Sequence, residues 1–201
     1  SIKDYMFRLM TGEWVTDKSV ASSSGLYNEL EEAWDCDILA YIGIEETQLP
    51  KVVSTTYSAK LIKDTAQRLG LPEGLPVVIG ATDGVLVNVG IGAVSPGQLS
   101  CTIGTSGAIR MLTEKPRMDK EGRTWCYNLT DDMWVAGGAI NNGGIILRWI
   151  RDRIMHLHGS QIENLDVDPY DLMTMKARHV PAGSGGLLLM PFFTGERAPY
   201  W

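Results

Sequence analysis

Residues 74–109 read GLPVVIGATDGVLVNVGIGAVSPGQLSCTIGTSGAI, and the order of apolar runs and glycines here decides the class of fold. The run Pro76-Val77-Val78-Ile79-Gly80 is short, apolar and β-branched, which predicts a buried strand. Residues 83–89 then turn into a helix that Gly90-Ile91-Gly92 ends. Leu99–Ile103 and Ala108–Leu112 predict two strands around the turn Gly104-Thr105-Ser106-Gly107. Strands and helices alternating through Gly-rich joints mean an α/β fold. Between the helix and the paired strands, Ser95-Pro96-Gly97 is turn chemistry and the best candidate for a domain junction.

Working outward, residues 3–11 predict a helix end closed by Gly12, and TDKSVASSSG at 16–25 reads as a turn. Residues 28–42 predict a helix with Leu30, Ala33, Trp34, Ile38 and Tyr41 on one face and Gly43 as its stop. Pro50 marks a loop, and 58–69 predicts another amphipathic helix closed by Gly70. On the other side, Trp134–Gly138 predicts a strand, and 141–157 the longest helix. Ile146, Ile150, Ile154 and Leu157 face inward there, with Arg148, Arg151 and Asp152 outward. A short helix at 170–177, a strand at Leu187–Met190 and a terminal loop, FTGERAPYW, complete the chain.

Composition bounds the partners. The 201 residues are 44% hydrophobic and 21% charged, as in an ordinary soluble globular protein of one good-sized domain or parts of two. A net charge of −6 argues against nucleic-acid and membrane-surface binding, since phosphate backbones and anionic lipids would be repelled. A phosphorylated ligand stays open, because backbone N–H groups bind one without a basic surface. Cys36, Cys101 and Cys126 are odd in number and lack CxxC spacing, so reduced thiols and a cytoplasmic setting are expected. No apolar run approaches the ~20 residues that cross a bilayer, and SIKDYMFRLM carries no cleavage site. The start at Ser1 and the end at Pro199-Tyr200-Trp201 both look cut, so a fragment is expected.

No GxxxxGK[ST] occurs, and GIGAVS at 90–95 fails the GxGxxG pattern at its last position. Phosphate binding therefore needs another device. Gly104 and Gly107 allow a tight hairpin whose N–H groups can face an anion, with the Thr105 and Ser106 hydroxyls as further donors; the same residues also make an ordinary turn. Asp83 sits where a strand gives way to a helix, the place of ligand sites in α/β sheets, and equally a place for a helix cap. Gly143 and Gly144 open the 141–157 helix, to bind phosphate or to pack closely on a sheet. His156 and His158 suit a helix C-terminus, His179 a surface, and Trp34, Trp125, Trp134 and Trp149 a core. Asp131-Asp132 reads as a solvated loop after a turn-like Asn128–Thr130.

Taken together, these stretches resemble the FGGY family of carbohydrate kinases, which includes glycerol, xylulose and gluconate kinases. The 74–109 run resembles the family's centre, where a catalytic Asp precedes a GT[SG] phosphate turn by 22 residues, as Asp83 precedes Thr105. TDKSVASSSGLYN is similar to the family's TDxSxAS segment, WVAGGAINNGGIILRWIRD to its phosphate-contacting strand and helix, and PFFTGERAPYW to its FxGERAPxW loop. The resemblance implies two ribonuclease H-like, actin-like domains around a cleft. Residues 1–93 would be the last part of the first, sugar-binding domain and 94–201 the first part of the second, nucleotide-binding one.

It implies Asp83 as catalytic base, and Gly104, Thr105, Ser106, Gly144 and Arg148 as nucleotide-site residues, with ATP and Mg²⁺ required. The family's N-terminal phosphate loop and adenosine pocket are missing, so the 201-residue piece alone is expected to be inactive. The substrate expected is a sugar or sugar acid: gluconate first, for the GERAP loop and the small Gly84 and Ala108, with xylulose or another pentulose as the alternative. A non-catalytic sugar sensor on the same fold would lack Asp83 or the phosphate turn, and both are present. No nucleic-acid or membrane partner is expected, and the family allows a homodimer.

Overall fold

The structure, a computed structural model, describes residues 1–156 and 167–200. The chain divides into two compact units, Ser1–Ser100 with Arg110–Gly137, and Cys101–Ile109 with Gly138–Trp201.

The first unit opens with α1 (Ile2–Thr11), which Gly12 closes at φ 82° by donating its N–H to Arg8 O at 2.7 Å. Its inner face buries Phe7 against Val15, Ala59 and Ile79. β1 (Val15–Asp17) follows and runs parallel to β4 (Lys51–Val53). The segment expected to be a turn instead forms α2 (Lys18–Ser23). Asp17 accepts from the N–H groups of Ser19 and Val20 at 3.0 and 3.1 Å, so the small polar residues that suit turns here cap a helix.

The helix expected over 28–42 is a hairpin followed by a shorter helix. β2 (Tyr27–Asn28) pairs antiparallel with β3 (Ala33–Trp34), and α3 (Cys36–Ile42) begins only after Asp35 caps it through Ile38 N at 3.0 Å. Tyr27 and Trp34 meet edge-on at 5.9 Å and bury with Ala21 and Leu39, whereas Leu30 and Tyr41 are 74% and 91% exposed. Burying two large rings across a strand pair outweighs the helical face that would have turned Leu30 and Tyr41 inward.

The same override shortens the helix expected over 58–69. β5 (Ser58–Lys60) pairs antiparallel with β6 (Pro76–Val78), putting Ala59 opposite Val77, and α4 (Lys63–Leu69) carries only the remainder.

α5 (Asp83–Gly90) follows, and β7 (Leu99–Ile103), β8 (Gly107–Thr113), β9 (Trp125–Thr130) and β10 (Met133–Ile140) form a sheet in the order β7-β8-β10-β9. β9, where a turn was expected at Asn128–Thr130, is a strand because its hairpin turn lies one step later, at Asp131-Asp132. Asn128 N donates to Ser22 Oγ at 3.1 Å, which ties β9 to α2. Val85 of α5 is fully buried with Ala81, Leu112, Leu129 and Val135, so the helix that begins at Asp83 is packed from its first turn.

In the second unit, α6 (Ile145–Trp149) runs into a single wide π turn, Ile150–Ile154, in which Met155 N donates to Ile150 O at 2.9 Å. The helix expected over 141–157 thus starts late; Leu157 and His158 lie outside the described residues, as does Trp201. α7 (Pro169–Ala177) is capped by Asp168, which accepts from Tyr170 N at 2.7 Å. Leu187–Met190 is not the expected strand: no strand pairs with it among the described residues, and its side chains are exposed. An apolar run without a neighbouring ladder has no place for its N–H and C=O groups as a strand. No described helix is long and apolar enough to cross a membrane.

Candidate functional site

Asp83 is the first residue of α5, and its carboxylate is exposed with no hydrogen-bond partner among the described residues. The cap position belongs to Thr82, so Asp83 is not the helix cap that its residue type allowed. An acid in the first turn still complements the positive end of the helix dipole.

The backbone just ahead of Asp83 is fixed by a partly buried chain of polar contacts. Thr82 N donates to Ser19 Oγ at 3.2 Å, and the two hydroxyls of Ser19 and Thr82 also lie 3.2 Å apart. Ser19 and Asp17 are completely buried. A buried carboxylate is tolerable only when paired and hydrogen-bonded. Asp17 meets both conditions, accepting from Ser19 and Val20 N–H on one oxygen and pairing with Lys3 on the other. Lys3 Nζ also donates to Gly80 O at 3.2 Å.

Further along α5, buried Asn88 accepts from Ser100 Oγ at 2.8 Å, which anchors the body of the helix independently of its first turn.

Gly104, Thr105, Ser106, Gly144 and Arg148 all belong to the second unit. The turn closes on itself through Gly104 N to Ser106 O at 2.8 Å. The start of α6 then docks on the turn by backbone alone. Gly143 N donates to Thr105 O at 3.0 Å, Gly144 N to Gly104 O at 2.6 Å and Ile145 N to Thr105 O at 3.3 Å. A Cβ on Gly143 would stand 2.7 Å from Ser106 O, and one on Gly144 2.8 Å from Gly104 O, closer than real side chains come.

The helix-start N–H groups are therefore engaged, and glycine is needed at 143 and 144 to let two backbones meet. What the turn offers outward is its hydroxyls: Thr105 and Ser106 are exposed and without a side-chain partner among the described residues. Arg148 stands one helical turn on, exposed, and its N–H closes the helix on Gly144 O at 3.2 Å.

One part of this unit escaped the residue-by-residue reading. Asn142, buried, donates to Gly195 O at 2.7 Å and to Glu196 Oε2 at 3.1 Å, and accepts from Thr194 Oγ1 at 3.0 Å. Glu196 Oε1 accepts from Asn141 N at 2.6 Å and from Arg197 N at 2.9 Å. Burial pushes the Glu196 carboxyl up, but these donors together outweigh it and hold it below its ordinary value. Asn141-Asn142 standing directly before Gly143-Gly144 was the available signal; its partner 54 residues away was not.

Elsewhere most of the plainer readings fit. Trp34 and Trp134 are buried and Trp125 is partly so, but Trp149, expected in a core, is 39% exposed and packs on Phe193 at 4.7 Å. Asp131 is an exposed residue that pairs with Lys18 at 3.3 Å. His156 and His179 are exposed, and no group of three or more metal-ligating side chains occurs among the described residues. All three cysteines are free.

An α/β chain with a carboxylate at a helix start and a glycine-braced hydroxyl turn is the class that the comparisons with known proteins also return. The family model described as the FGGY family of carbohydrate kinases, N-terminal domain, matches residues 1–90, and the one described as its C-terminal domain matches residues 99–201. The chain belongs to the FGGY family of carbohydrate kinases. It is 45% identical, over its full length, to a gluconokinase of Bacillus subtilis, of which it spans 39%. Two solved structures from Lactobacillus acidophilus, a gluconate kinase and a ligand-bound xylulose kinase, each superpose with a TM-score of 0.88 at 32% identity. Each is matched over 100% of this chain and 39% of its own.

Proposed function

We propose that the whole protein transfers the γ-phosphoryl group of ATP to a hydroxyl of a sugar acid, gluconate by preference. The observation that carries this reading is the 45% identity to a gluconokinase along all of the 201 residues. Asp83 accepts the proton of the attacking hydroxyl, a role that suits an exposed carboxylate left free by its neighbours. Thr105 and Ser106 present hydroxyls to phosphate oxygens. Gly104 and Gly144 hold that turn in shape, and Arg148 supplies positive charge nearby in sequence.

Mg²⁺ fits as part of the MgATP substrate. The described residues offer no acidic cluster for a resident ion, and Mg²⁺ commonly keeps its waters and takes its remaining ligands from substrate phosphates and one or two carboxylates. The junction between the two family domains, as distinct from the two compact units, is put at 93–94, in the stretch between the two matched family models, and the protein works in the cytoplasm. Xylulose is the second reading, supported by the equal superposition on a xylulose kinase.

The test is ADP release by the full-length enzyme against a panel of sugars. Gluconate should give the highest kcat/KM, xylulose in first place would install the second reading, and no sugar-dependent release would remove the kinase reading.

A further inference from the structure

We infer that Ser19 is a positioning residue for Asp83, acting as the central link of a polar chain, buried at Asp17 and Ser19, that runs Lys3–Asp17–Ser19–Thr82. The inference rests on Asp83 being the proton acceptor. Asp83 has no side-chain partner among the described residues, so the place from which its carboxylate reaches out is set by the backbone that carries its Cβ. Both ends of the approach to that backbone are tied, through side chains, to one carboxylate. Gly80 O is held by Lys3 Nζ, which pairs with Asp17. Thr82 N and Thr82 Oγ1 are held by Ser19 Oγ, whose own N–H is fixed by Asp17 Oδ1 at 3.0 Å.

Ser19 and Asp17 are wholly buried and Thr82 is partly so, so solvent does not compete for these contacts at the centre of the chain.

The chain governs the first turn of α5 and not the helix as a whole. Val85 in the core and Asn88 on Ser100 keep the helix body in place without it. Trimming Ser19 therefore loosens the residue that does chemistry while leaving the fold standing. Near-attack geometry is sensitive to shifts of about 1 Å, and such a displacement costs on the order of 10²-fold.

The experiment uses the full-length enzyme. Ser19→Ala should lower kcat by about 10- to 100-fold, with KM for sugar and ATP changed by no more than a few-fold. Ser19→Cys, nearly the same size but a poor acceptor, should show the same fall and carries the test should the alanine variant fail to fold. In an Asp83→Asn background, Ser19→Ala should have no further effect on kcat, because residues that act as a unit are not additive.

Wild-type kcat in both Ser19 variants would overturn the inference. So would an equal loss of kcat in the wild-type and Asp83→Asn backgrounds, which is what a merely structural role predicts. Near wild-type kcat in Asp83→Asn alone would strike instead at the proton-acceptor reading on which the inference rests.

Discussion

The two units hold their candidate site residues by different means. In the first, Asp83 is steadied through side chains: Ser19, Thr82, Asp17 and Lys3 form one contact sequence, buried at its centre and partly exposed at both ends. In the second, the turn Gly104–Ser106 is steadied through backbone: three N–H groups from 143–145 reach its carbonyls, and two glycines make the approach possible. A side-chain brace can be weakened one hydroxyl at a time. A backbone brace fails when a single methyl is added, since the atom it meets is a main-chain oxygen that cannot swing away. The first unit is thus tunable by polar substitutions and the second intolerant of any side chain at two positions.

The largest effect that sharpens this contrast is expected at Gly144. Gly144→Ala places a Cβ 2.8 Å from Gly104 O, so the turn must shift. In the full-length enzyme kcat/KM for ATP should fall by about 10²-fold with sugar affinity nearly unchanged, read by steady-state kinetics and sugar titration. Gly84→Ala is the control in the other unit: its Cβ meets only Thr82 Oγ1 at 4.0 Å, so it should fold like the wild type. A Gly144→Ala enzyme with normal use of ATP would break the contrast.

A smaller effect is expected from the buried polar chemistry of the first unit. Glu29 is 7% exposed and accepts from Trp134 Nε1 at 2.7 Å, and burial raises its pKa above the ordinary 4.5. An acid whose folded-state pKa is raised binds its proton more tightly when folded. Stability is therefore lost as pH rises from about 4.5 through the folded value, and it stays at the lower level above that, where the charged form is buried. Glu29→Gln keeps an acceptor for Trp134 and removes that charge. Its Tm should exceed the wild type's by about 2–4 °C at pH 8 and by less at pH 5. An equal shift at both pH values would mean that the charge is not what costs stability there.

The contrast also explains what the sequence revealed. The strands at 99–103 and 107–113 and the helix from Asp83 were legible because apolar runs ended in glycines and because local pattern and tertiary structure agree there. The 27–34 hairpin was not, since the Tyr27–Trp34 packing that decides it is tertiary and overrides a respectable helical period. Position and residue type made Asp83 and the 104–106 turn candidates, each with an ordinary structural alternative, and it was the resemblance of four motif stretches to the family that implied their roles. Their supports were not legible. Ser19 and Thr82 are 63 residues apart, and Gly143 and Gly144 announce a need for glycine without saying which backbone arrives. Even the direction of the helix-start N–H groups, toward the turn's carbonyls, follows only from the docked geometry.

The central claim is that Asp83 takes the proton from the sugar hydroxyl, and Asp83→Asn in the full-length enzyme tests it most directly. Asparagine keeps the size of the side chain and its place in the first turn of α5 but cannot act as the base. Loss of a general base costs about 10²–10⁴-fold, so kcat should fall by that much while gluconate and ATP still bind and Tm stays near that of the wild type. A variant that folds normally and turns over within a few-fold of the wild type would contradict the claim.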